Sequence, residues 1–137
     1  AVIQRTTSAS SEKIETLFTG EDVLAFHALV RKVPIAEDLV RFAVRLAAAT
    51  RPRQPGTPAF VNDWVSWGAG TRAAQFLTLG AKARALLNGR AHVTKEDLVA
   101  LAGPVLRHRV LVNYRAEAEG ISVGKIIERV LEAVSKS

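Results

Sequence analysis

The chain has 137 residues and a mass of 14.8 kDa, which is one domain's worth. Hydrophobic residues make up 48% and charged residues 23%, which excludes general disorder, and the absence of cysteine excludes disulfides, thiolate zinc sites and cysteine nucleophiles. The net charge is +6, and residues 54–115 carry 8 basic and 3 acidic side chains, so the middle faces something anionic or an acidic protein surface unless the fold is merely basic.

The first five residues, Ala1 to Arg5, lack the extended apolar core of a signal peptide. Methionine is absent too, so the chain is expected to be a processed product or an excised piece of something longer. Residues 6–11 are mostly Ser and Thr and read as linker. Thr19 followed by Asp22 marks a helix start, with Phe18 and Val23 placed as a hydrophobic staple. Val23, Phe26, Val30 and Val33 continue at helical spacing until Pro34 ends the helix. A second helix is predicted from Ala36 to Ala49, with Leu39, Phe42, Ala43 and Leu46 inward. Glu37 and Arg41 pair on its outer face.

Residues 51–56 hold two prolines and a glycine and form a loop. Thr57-Pro58 reads as a cap followed by a first helical position, and Phe60, Val61, Trp64 and Val65 predict a short helix to about Ser66. After Gly68-Ala69-Gly70 a long helix is predicted over Thr71 to Leu87, with Ala73, Phe76, Leu77, Gly80 and Leu87 inward, ended by Asn88-Gly89. Thr94 with Asp97 opens the next helix. Its apolar stripe is Leu98, Leu101, Ala102 and Val105, and Pro104 must kink or restart it. The longest apolar run, Leu98 to Leu106, falls short of the ~18 residues of a membrane span. Arg109 to Tyr114 is β-prone, an extended connector or one strand of a small pair. Gly120-Ile121-Ser122 leads into a last helix with Val123, Ile127, Val130 and Val134 on one side. The expected fold is all-α, a compact bundle of about five or six helices with room for one short extended pair.

Arg72 is the first candidate for chemistry. It sits in the first turn of the long helix, where free N–H groups favour acids rather than a cation. An arginine beside those N–H groups, with glycines upstream that allow close approach, makes a phosphate contact. The plain alternative is an arginine that pairs with a carboxylate or extends into water. Gly120 to Lys125 is not a P-loop, because three residues instead of four separate the glycines and Ile126 follows the lysine. His27, His92 and His108 are far apart and offer no metal-ligand spacing, so no metal site is expected. His27 falls on an apolar face as a packed histidine, and His108 between two arginines suits a surface. Arg84, Arg90, Lys95, Arg107 and Arg109 outline a basic surface, and residues 71–109 a loose helix-turn-helix. Its turn is too long for that motif, Trp64 and Trp67 read as core anchors, and nucleic acid is not the expected partner.

The run from Trp64 to Ala73, Trp-Val-Ser-Trp-Gly-Ala-Gly-Thr-Arg-Ala, resembles the Gly-Ala-Ser/Gly-Pro-Arg-Ala signature of MoxR-type AAA+ ATPases. Residues 81–90, 93–97, 104–110 and 116–121 resemble that family's following stretches in the same order, and the likeness covers about residues 20–135. Two departures stand out: Thr71 replaces the family's usual proline, and the loop from Arg51 to Val61 is longer than in many members. The resemblance implies a C-terminal helical lid over residues 19–137, with residues 1–18 as the linker from an ATPase core outside this chain. It further implies that Arg72 is the sensor 2 residue, reaching the γ-phosphate with Gly70 and Thr71 beside it. ATP with Mg²⁺ would be held mainly by the core, and the isolated fragment would hold no cofactor and be inactive. The implied partners are that core, neighbouring subunits of a ring (a hexamer) and proteins with a von Willebrand factor A domain. The implied setting is cytoplasmic and the implied role chaperone-like. A basic helical adaptor or a nucleic-acid-binding module is the alternative.

Overall fold

The computed structural model describes residues 15–136, and the description that follows is of these. The elements run α1 (Gly20–Lys32), α2 (Glu37–Ala49), α3 (Ala59–Trp64), β1 (Val65–Trp67), α4 (Thr71–Leu87), α5 (Lys95–Leu106), β2 (Leu111–Val112), α6 (Tyr114–Ala118) and α7 (Val123–Ser135). The fold is all-α with one small extended pair. Seven helices are described, one more than the periodicity predicts, because the five-residue α6 is too short to show a stripe. It is capped by the Asn113 carboxamide oxygen, which accepts from the Ala116 N–H at 3.0 Å.

The long helix α4 is the centre of the bundle and packs on α5, α2 and α1, while α7 closes the far side against α2 and α5. Its buried seam is Ala73, Leu77, Ala81 and Ala85. Phe76 and Leu87, expected inward, are instead 47% and 88% exposed. The reason is steric: alanines four apart let α2 and α5 come close, and the larger Phe76 lies about 100° round the helix from Leu77. Gly80 extends this close approach, since a Cβ there would stand 2.8 Å from Leu101 Cδ1.

Helix α2 buries Phe42, Ala43, Leu46 and Ala47, and Arg41 meets Glu37 at 2.6 Å on the outside, as the spacing predicts. Helix α7 buries Ile126, Ile127, Val130 and Val134 below a Ser122 cap. Helix α5 runs through Pro104 without restarting. Helix α1 has the Thr19–Asp22 capping box, yet none of its thirteen residues is buried. Its apolar stripe rests mainly on α4, and only Val33 just beyond it enters the core. The Phe18 ring meets Phe26 edge-on at 5.2 Å, one turn beyond the expected Val23.

The chain from 57 to 67 departs from the helical reading at both ends. Thr57 does not cap α3; its hydroxyl donates to the Arg51 carbonyl at 2.7 Å and closes the 51–57 loop, while Pro58 takes the cap position. The helix stops at Trp64, and residues 65–67 pair antiparallel with Leu111–Val112 across a register irregularity. Ser66 Oγ donates to the carbonyls of Leu111 and Val112, which a helix would not allow. Of the linker expected over residues 1–18, only residues 15–18 are described, and they are exposed.

Candidate functional site

Arg72 lies in the first turn of α4, exposed, and makes no hydrogen bond or ion pair with any described residue. No acidic residue shares that turn, and no side chain caps the helix, whose cap position is Gly70. The end therefore presents free N–H groups and a free guanidinium together, a positive site aimed at solvent. Gly70 and Thr71 are likewise exposed. A Cβ on Gly70 would meet nothing within 4 Å, so that glycine leaves open space beside the helix start.

What fixes the position of this end is the contact between the 68–70 segment and the end of α2. A Cβ on Gly68 would lie 2.3 Å from the Thr50 carbonyl oxygen, so only glycine fits. The buried Thr50 hydroxyl donates to the Ala47 carbonyl at 2.7 Å and accepts from the Ala69 N–H at 2.9 Å. Arg51 Nε donates to the Ala69 carbonyl at 2.7 Å. Both polar backbone groups of Ala69 are thus held by consecutive residues of another element, which anchors the turn just before Arg72. Nothing in the sequence signals this clamp, because it joins positions 18 and 19 residues apart through single side chains.

The basic surface outlined by the sequence is largely spent within the fold. Asp97, 1% exposed, accepts from Arg90 Nη1 at 2.7 Å and Nη2 at 2.6 Å, and Arg84 Nε stands 3.3 Å away. The Arg90 guanidinium, helped by the Thr94 N–H at 3.0 Å, holds the Asp97 carboxyl down at about 2. Lys95 lies over the Phe42 ring, and Arg109 lies over Phe76 while donating to the Val105 carbonyl. A continuous phosphate-tracking face is therefore not assembled from these residues.

His27 is exposed rather than packed. It borders an apolar groove of about 550 Å³ between α1, α4 and α5, along with Phe76 and His108. Trp64 is half-buried; its ring meets Phe60 at 6.0 Å and Arg129 at 4.8 Å, and its indole N–H donates to Glu119 at 2.8 Å. Trp67, read as a core anchor, is 71% exposed, because the strand turns it outward.

The comparisons with known proteins agree with this fold. The family model for the AAA lid domain matches residues 59–130, which span α3 to most of α7. The chain belongs to the AAA lid domain family. Within that family it is of the MoxR type: it is 36% identical over 122 residues to chaperone MoxR1 of Mycobacterium tuberculosis, covering 88% of this chain and 32% of that protein. It is 28% identical over 123 residues to YeaC of Bacillus subtilis, an uncharacterised protein, covering 90% of this chain and 36% of that one. A crystal structure of a proposed ATPase from Cytophaga hutchinsonii superposes with a TM-score of 0.83 at 36% identity, over 96% of this chain and 40% of that one. The chain spans about a third of the length of the curated relatives it matches.

Proposed function

We propose that this chain is the lid of an ATP-hydrolysing MoxR-type machine and that Arg72 is its phosphate sensor. The observation that carries the reading is the free guanidinium of Arg72 on an uncapped, acid-free helix end, held in place by the Thr50 and Arg51 clamp. That donor set fits a terminal phosphate: it offers a planar cation with open donors next to unsatisfied N–H groups. Gly70 and Thr71 flank the contact, and the open space at Gly70 lets the phosphate approach.

The α/β core supplying the P-loop and the Mg²⁺ ligands is assigned to polypeptide outside this chain. Residues 1–18 act as the connector and 19–137 as the lid. ATP bound in the core supplies a γ-phosphate whose charge changes on hydrolysis. Arg72 donates to that phosphate and draws the lid closed, and loss of the phosphate weakens the charge-assisted contact and lets the lid release. In a ring of subunits, a hexamer, each lid also meets its neighbour, so nucleotide state becomes ring shape. The work done is chaperone-like maturation or remodelling of protein complexes in the cytoplasm, with von Willebrand factor A domain proteins among the partners. The isolated chain is inactive and binds ATP weakly, because one arginine and one helix end supply few contacts.

The test is to read the coding sequence upstream of Ala1 for about 200 residues, a typical domain length. A strand leading into Gly-x-x-x-x-Gly-Lys-Ser/Thr is expected. An upstream region without it would remove the ATPase lid reading and return the chain to a basic helical adaptor.

A further inference from the structure

Helices α1 and α5 both rest on α4 and leave an apolar groove of about 550 Å³ between them. Gly80 and Ala83 keep its floor low, Val30 and Val105 stand on the facing walls, and Phe76 adds a ring that is 47% exposed. Phe26, 45% exposed, lies one turn before Val30 on the same side of α1 and carries the apolar band along that helix. Beyond Arg31 a second cavity, about 630 Å³, shares Arg31, Phe76 and Leu79 with the groove and adds Val44, 53% exposed. The apolar surface is therefore longer than the groove itself.

Every ionisable side chain lining this surface is basic. His27, Arg31, His108 and Arg109 line the groove, Arg31 and Lys82 line the second cavity, and no acidic residue lines either. Lys82 Nζ donates to the Arg31 carbonyl at 3.2 Å, and the Arg109 guanidinium lies over Phe76. The Arg31 guanidinium is exposed and makes no hydrogen bond or ion pair with any described residue.

We infer that this groove seats an acidic amphipathic helix of a partner protein, its apolar stripe laid along α4 and its carboxylates facing Arg31 on one wall and Arg109 on the other. The inference does not draw on the phosphate reading of Arg72. A helix laid in a groove offers apolar side chains at i, i+3, i+4 and i+7, which suits a floor running from Phe76 to Ala83, about two turns or ~10 Å of α4. A basic helix would set like charges against both walls. A nucleic-acid backbone would leave the apolar floor uncovered, and a small amphiphile with one carboxylate would answer one wall only.

The experiment is fluorescence anisotropy of this chain with designed labelled peptides of about 18 residues, roughly five helical turns. One carries leucines at helical spacing flanked by glutamates, a second has lysines in place of the glutamates, and a third scrambles the first. The glutamate peptide is expected to bind with a dissociation constant of roughly 10–100 µM, as suits one helix in a small interface. The lysine and scrambled peptides should bind at least about tenfold more weakly. Arg31→Glu should weaken the glutamate peptide by roughly tenfold and Phe76→Ala by roughly three- to tenfold. Both side chains are exposed, so circular dichroism should show the fold unchanged. Arg45→Glu makes the same charge change on α2 at a different cavity and should alter affinity by less than about twofold. No binding of the glutamate peptide, equal binding of the lysine or scrambled peptide, or an equal loss in Arg45→Glu overturns the inference. Binding to anionic phospholipid vesicles but not to the glutamate peptide gives the surface to a membrane and overturns it too. Self-association of the chain that Arg31→Glu abolishes would seat a second copy there instead. The intact protein should bind the glutamate peptide within about threefold of this chain. Loss of binding there shows that the rest of the polypeptide covers the groove, and overturns the partner helix.

Discussion

Replacing Asp97 with alanine tests how the bundle is held at the end of α4 opposite Arg72. The carboxylate is buried and takes five contacts: two from Arg90, one from Arg84, and the N–H and hydroxyl of Thr94. Its removal deletes the cap of α5, worth about 1 kcal/mol, and strands two arginines. Stripping one partner from a fully buried pair costs about 3–5 kcal/mol. Here the arginine side chains are 31% and 45% exposed and can turn to water, so the total should be about 3 kcal/mol. For a domain of this size that lowers Tm by about 10 °C. The pH dependence gives a second reading. Because the Asp97 carboxyl is depressed to about 2, its contribution is fully present above the ordinary value of 3.8 and is lost as pH falls through about 2. The difference is worth about 2 kcal/mol at neutral pH. Thermal melts by circular dichroism of both proteins across that range should show the gap narrowing on acidification. A Tm within about 2 °C of the parent at neutral pH, or a gap constant down to about pH 2, would refute the reasoning.

Two other pairs of substitutions separate packing from sequence pattern. Gly68→Ala drives a Cβ into the Thr50 backbone and should cost about 2–4 kcal/mol by denaturant melts, whereas Gly80→Ala meets only a flexible leucine tip and gains helix propensity, so its change should stay within about 1 kcal/mol. Equal effects would show that the clamp at Gly68 is soft. Leu77→Ala should cost about 2–5 kcal/mol and Leu87→Ala about 0.5 kcal/mol or less, since one side chain is buried and the other 88% exposed. A large loss at Leu87 in the same melts would contradict the seam assigned to α4.

Local chemistry explains what was legible in the chain. Capping pairs at Thr19–Asp22 and Thr94–Asp97, the Glu37–Arg41 pair and the glycine at 89 all act within a few residues, so their helices begin and end where the pattern puts them. The face of α4 was misread because Phe76 is more hydrophobic than Ala81 or Ala85, while helix packing there selects small size. Strand β1 was hidden because Val65 also satisfies a helical spacing and its partner lies some 45 residues away. The same distance effect conceals the Thr50–Ala69 clamp and the exposure of Trp67. Arg72 stands out as a candidate by its position, since a cation in a first turn stands against the helix field, and its proposed phosphate role comes from the family resemblance. The Asp97 hub explains why the surrounding arginines, equally visible in sequence, are committed to the fold.

The central claim is that Arg72 reads the terminal phosphate of ATP. The most direct measurement is steady-state ATP turnover by the intact protein carrying Arg72→Ala, compared with the parent and checked for unchanged folding by circular dichroism. Losing one charged phosphate contact should cost about 1.5–3 kcal/mol, a fall in turnover of roughly ten- to a hundredfold with the fold intact. Near-parental turnover in a folded Arg72→Ala protein would contradict the account.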